Sequence, residues 1–120
     1  MTNKREVFFK LGNRPLKTAT VEVGGESFTV RELSEADAAE MEVKMQVGGK
    51  WDFTRHRRLL VSYSLIDDDN KRIVEDSDEL KSFPKSLVGK IYEAALEVSH
   101  YDEREIEALA KKSSEVEGSK

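Results

Sequence analysis

The stretch TATVEVGGESFTVREL, residues 18–33, limits the possible folds of this chain more than any other. Val21 and Val23 alternate with polar neighbours before Gly24-Gly25, and Phe28 and Val30 do so after it. Alternation makes one face of an extended strand apolar. A two-residue Gly-Gly connection is the turn a β-hairpin needs, because both positions take positive φ angles that a side chain resists. The second strand then runs straight into a helix start: Ser34 and Asp37 stand at capping-box spacing, and Leu33 and Ala38 are placed to close a hydrophobic staple. In the predicted helix, Ala38, Met41 and Met45 form one stripe with Ala36, Ala39 and Val43 beside it, until Gly48-Gly49 supplies a C-terminal stop.

KWDFTRHRRLLVSYSLIDDD, residues 50–69, satisfies two periodicities at once. Leu59, Leu60, Tyr63 and Ile66 keep helical spacing, whereas Leu59, Val61, Tyr63 and Leu65 keep strand spacing. Its length, with the polar lead, exceeds that of an ordinary strand, so a helix is expected. SLIDDDNKRIVEDSDE follows with seven carboxylates. A calcium loop needs oxygen ligands at positions 1, 3 and 5, Gly at 6 and Glu at 12. Counted from Asp67, the fifth and sixth positions are Lys71 and Arg72; counted from Asp68, they are Arg72 and Ile73. A cation or a bulky residue there opposes both the ion and the bend, so Asp67–Asn70 reads as a turn and the later acids as a helix N-terminus, where negative charge complements the dipole.

KRIV, residues 71–74, reads as a short extended piece. Asp76 and Glu79 repeat the capping-box spacing ahead of a short helical turn around Leu80, and Pro84 suits the first position of the next helix. Leu87, Val88, Ile91, Tyr92, Ala95 and Val98 give that helix a broad apolar face. A last helix is expected from Asp102, with Glu105 at cap spacing and Tyr101 and Ile106 as its staple. The fold class expected is α+β and helix-dominated: an N-terminal β-hairpin followed by about four helices in one small domain. Residues 1–19 read as a flexible basic arm with one apolar cluster at Val7-Phe8-Phe9, residues 20–112 as the globular domain, and residues 113–120 as a polar tail.

Chemistry is sparse. The 120 residues include no cysteine, which removes thiolate metal sites, disulfides and cysteine nucleophiles, and the two histidines, His56 and His100, lack metal-ligand spacing. Phosphate-loop and GxSxG patterns are missing, so neither catalysis nor a cofactor is expected. No segment approaches the roughly 20 apolar residues that span a bilayer, and the start of the chain has no signal-length apolar run, which points to a soluble cytoplasmic protein. The net charge of −4 is unevenly spread: residues 1–20 hold five Lys or Arg against one Glu, while residues 67–79 hold seven acids against two bases. Such asymmetry can steer partners or drive self-association. Trp51 and Phe53 with Arg55, Arg57 and Arg58 could also stack on bases and meet phosphates, a nucleic-acid reading that the acidic balance of the domain opposes.

VEVGGESFTVRELSEADAAEME, together with RRLLVSYSLIDDDNKRIVEDSDELKSFPKSLVGKIYEAALEVSHYDEREIEAL, resembles the tail assembly chaperones of long-tailed bacteriophages of the siphophage type. The likeness lies in the order and spacing of elements across most of residues 20–110 and departs at Asn70, where the family usually places Gly, and at SHYD. It implies a non-catalytic protein that binds the tape measure protein and keeps it soluble. It also implies help in recruiting the major tail tube protein, self-association, a place in the host bacterial cytoplasm, and absence from the mature virion. Trp51, Phe53 and Tyr63 are the contact residues expected, with Met41 and Met45 beside them as an adaptable groove. The alternative left open is a small nucleic-acid-binding accessory or regulatory protein that uses Arg55, Arg57 and Arg58.

Overall fold

A computed structural model describes residues 3–99. Residues 3–15 belong to one compact unit and residues 16–99 to another. His100, the helix expected from Asp102 and the polar tail lie outside the described residues.

In the first unit, α1 (Lys4–Gly12) starts at Asn3, whose Oδ1 accepts from the backbone N–H of Arg5 at 2.9 Å and of Glu6 at 3.2 Å. Phe8 and Phe9 meet edge to face at 5.9 Å, and the Arg5 guanidinium lies 4.5 Å from the Phe9 ring centre. None of the residues of α1 is buried.

The second unit is α+β, as expected. β1 (Thr18–Val23) and β2 (Glu26–Arg31) form the antiparallel hairpin in the register Val21↔Phe28, with Gly24 at φ 61° and Gly25 at φ 81°. Two successive positive φ values define the mirror-image turn that matches strand twist. Ala19, Val21, Val23 and Phe28 pack on the core around the fully buried Val30. Ser34 caps α2 (Glu35–Lys44), its Oγ accepting from the Asp37 N–H at 3.1 Å.

Helix α2 ends at Lys44, before the glycine pair expected to stop it. Gly48 (φ 59°) and Gly49 (φ 79°) instead turn a second, shorter hairpin between β3 (Gln46–Val47) and β4 (Lys50–Trp51). A 3-10 turn at Phe53–Arg55 leads into α3 (His56–Ser64). The helix expected through Ile66 stops at Ser64; Leu65–Ile66 is strand β5, which adds to β2 through Val30↔Leu65. Every residue from Leu59 to Ser64 is buried. That explains the double periodicity: a helix enclosed on all sides has no polar face to reveal its period.

The acidic connection is a backbone turn. Asp67 Oδ1 accepts from the N–H groups of Asp69 at 2.8 Å and Lys71 at 3.0 Å, and Asn70 takes the left-handed conformation at φ 64°. The Arg72 guanidinium folds back over α3, donating to the backbone carbonyls of Ser62 (2.8 Å), Val74 (3.2 Å) and Glu75 (2.9 Å) and lying 4.0 Å from the Tyr63 ring centre. A 3-10 turn at Ser77–Leu80 sits where the short helical turn was expected and buries Leu80. α4 (Lys85–Val98) begins one residue after Pro84 and buries Val88, Ile91, Ala95 and Val98, a heptad-like stripe. The core has two clusters. Val61 joins the sheet-side cluster with Leu65, Val88 and Ile91, while Leu59, Leu60 and Tyr63 join Met41, Met45 and Ala95 on the α2 side. α3 is therefore the partition that both clusters share.

Candidate functional site

The short β3–β4 hairpin and the 3-10 turn that follows carry three exposed large apolar residues, Val47, Trp51 and Phe53. Asp52 closes the base of that hairpin, its N–H donating to the Met45 carbonyl at 2.7 Å. Its carboxylate caps the 3-10 turn, accepting from the Thr54 hydroxyl at 2.6 Å and the Thr54 N–H at 3.1 Å. Those two Thr54 bonds, with Arg55 Nε 3.7 Å away, hold the Asp52 carboxyl below its ordinary value. The residues on either side of Asp52 are thereby aimed outward. Trp51 is 50% exposed and Phe53 72%, and their rings stack at 6.2 Å with 17° between planes. The pair leaves a large aromatic surface in water.

The arginines beside it do not act as one cluster. Arg55 turns toward the end of α2, where Nη1 donates to the Lys44 carbonyl at 3.2 Å. Arg57 reaches over the ring of Tyr92 at 5.6 Å, and the Tyr92 hydroxyl meets His56 Nδ1 at 2.8 Å. Phe53, His56, Arg57, Arg58 and Tyr92 line an open cleft of about 690 Å³. Arg57 and Arg58 also border a smaller depression of about 130 Å³ with Leu80, Lys81, Phe83, Lys85 and Val88. Sequence reasoning missed Tyr92, His56 and Phe83 as surface residues. Tyr92 follows Val88 at helical spacing and so read as apolar face, and only the packing of α3 on α4 puts it next to Arg57.

Three of the expected contact residues are corrected by the structure. Met41, Met45 and Tyr63 are buried, the tyrosine to 1% exposure. Met41 of α2 and Met45, which caps its C-terminal end, lie one turn apart and cover Leu59, Leu60 and Tyr63 of α3, which is the ordinary use of an apolar helix stripe. Arg72 closes one side of the Tyr63 ring, and the Lys44 ammonium lies 5.3 Å from its centre. The Tyr63 hydroxyl is the first cause raising the Lys44 pKa above its usual value, against the opposing effect of burial, and Glu40 at 3.6 Å adds to the rise. Of the expected set, only Trp51 and Phe53 are left on the surface.

A second apolar feature is a groove of about 220 Å³ lined by Phe28, Ile73, Leu80, Phe83, Leu87 and Ile91 among others. Ile73 and Phe83 stand about half exposed at its rim. Among the described residues, no group of three or more histidines or carboxylates is placed to hold a metal ion. No helix of the described residues is long and apolar enough to cross a membrane. Comparison with known proteins found no matching family model, no matching curated protein and no matching solved structure.

Proposed function

We propose that this chain is a non-catalytic tail assembly chaperone of a long-tailed bacteriophage. In this reading it binds the tape measure protein, keeps it soluble, helps recruit the major tail tube protein, and self-associates. It acts in the host bacterial cytoplasm and is left out of the mature virion. Trp51 and Phe53 carry the reading: a stacked aromatic pair beside the Asp52 cap, with Trp51 half exposed and Phe53 mostly exposed among the described residues, has the chemistry to shield apolar client surface. The order of hairpin, capped helix, buried helix, acidic turn and second amphipathic helix supports the same reading through its likeness to that family.

Co-expression with the tape measure protein encoded alongside, followed by affinity capture and sizing, is the test. A stoichiometric soluble complex, with the client insoluble alone, is expected. Failure to form one removes the reading. Arg57 and Arg58 beside the aromatic pair favour a second reading, nucleic-acid binding, although Arg55 is turned away from them. A salt titration separates the two, since phosphate contacts weaken steeply with salt and apolar contacts do not.

A further inference from the structure

The first turns of α3 and α4 border one depression, and every charged side chain that lines it is a cation: Arg57, Arg58, Lys81 and Lys85. Such a cluster is unexpected in a chain of net charge −4. Helix starts elsewhere in the chain follow the usual rule, with Asn3 and Glu6 opening α1 and Ser34, Glu35 and Asp37 opening α2. α4 has neither a side-chain cap nor an acidic residue in its first turn, and α3 has none of its own, because Asp52 caps the 3-10 turn that runs into it. The positive end of α4 therefore adds to the cations of the depression, while on the α3 side Asp52 offsets part of the charge of Arg58. Lys81 pairs with the exposed Asp78 at 3.5 Å. Arg58 Nε is buried and has no hydrogen-bond partner among the described residues, and the Arg58 charge acts on Asp52. Leu80, Val88 and the half-exposed Phe83 supply the apolar part of its lining.

We propose that this face receives an acidic amphipathic segment of the client, its carboxylates meeting Arg57, Arg58 and Lys85 and an apolar side chain entering the depression over Leu80 and Val88. The proposal rests on the client-binding reading above. Charge complementarity selects an acidic occupant. The apolar lining of Leu80, Phe83 and Val88 favours a polypeptide over a bare phosphate backbone, which has no apolar group to set against it. Arg57 and Arg58 also line the cleft with Phe53, so the surface continues toward the aromatic pair.

Trp51 is the sole tryptophan, and its emission reports occupancy of the neighbouring face. The probes are overlapping peptides of roughly 20 residues, about five helical turns each, covering the tape measure protein. Peptides that place carboxylates beside an apolar stripe are expected to shift Trp51 emission and to bind less tightly as salt rises. The double variant Arg57→Glu/Arg58→Glu is expected to lose about tenfold or more in affinity, and Arg57→Lys/Arg58→Lys to retain most of it. If circular dichroism shows that the double reversal misfolds, the exposed Lys85→Glu carries the same expectation. Neutral or basic peptides binding as well as acidic ones would overturn the proposal. So would unchanged peptide affinity in the reversed variants while the full-length client is still captured, which places the docking face elsewhere and leaves the chaperone reading standing. A single-stranded oligonucleotide shifting Trp51 where peptides do not would make nucleic acid the occupant. Reversal that alters only sedimentation of the protein with itself would make it a second copy. Absence of binding by every peptide and by the full-length client removes proposal and reading together.

Discussion

Two hairpins in this protein turn on the same dipeptide and do opposite things. Gly24-Gly25 and Gly48-Gly49 adopt nearly the same pair of positive φ angles, 61° and 81° against 59° and 79°. The first joins six-residue strands and lays Ala19, Val21, Val23, Phe28 and Val30 on the core. The second joins two-residue strands whose four residues are all exposed. A strand that short has no face to bury, so it depends on its ends: Met45 is anchored in the core before it, and Asp52 bonds Met45 and caps the next turn after it. Turn chemistry decides where a chain reverses, while strand length and flanking anchors decide whether the hairpin builds the core or displays side chains.

Val30 is where that contrast is expected to be greatest. Val30→Ala removes two buried carbon groups from a fully enclosed site and should cost about 2 kcal/mol in urea unfolding. A loss no larger than that of a surface substitution would mean the first hairpin is not part of the core. Next come the turns. Gly25→Ala forces a side chain into φ 81° and should cost about 1–2 kcal/mol. Gly49→Ala imposes the same strain at φ 79°, yet global stability should fall by no more than about 0.5 kcal/mol, because an exposed hairpin can fray by itself. Trp51 emission should move in that variant; equal losses at both turns would break the distinction.

Smaller still is the effect expected on stability from Trp51→Ala combined with Phe53→Ala. It should stay within about 0.5 kcal/mol with an unchanged circular dichroism spectrum, while client capture is lost. A cooperative loss of fold would identify the pair as core instead. The weakest effect is electrostatic. The Asp52 carboxyl titrates below its ordinary value of 3.8, so its capping contribution is complete above that pH and fades as pH falls through the lower folded value. Trp51 emission should therefore show an acid transition below pH 3.8 that Asp52→Asn removes. A transition that persists in the variant would trace it to another group.

Much of the frame was legible in residues that act locally. The Gly24-Gly25 turn, the Ser34 cap and the Asp67–Asn70 turn each need only a few neighbours, and each stands where its chemistry put it. Helix α1 was legible too, in the Asn3–Glu6 cap spacing, but the glycine and proline nearby read as an arm. The apolar stripe of α4 was readable because one side of that helix stays in water. The Met41–Met45 stripe was equally visible, yet its partner was not: a stripe shows that a helix face is apolar, not whether its own chain or another covers it.

What the sequence determined by itself was therefore where the chain turns and caps, and which faces are apolar, since steric limits on φ and the demand of free N–H groups act over a few residues. Tertiary structure alone decided that Leu59–Ser64 would be enclosed on every side and that Met41, Met45 and Tyr63 would face inward. It also decided that Arg57 and Arg58 would border one depression with Lys81 and Lys85, across more than twenty intervening residues. Those outcomes depend on α3 packing between α2 and α4, and burial of apolar area has no direction that a linear pattern can record.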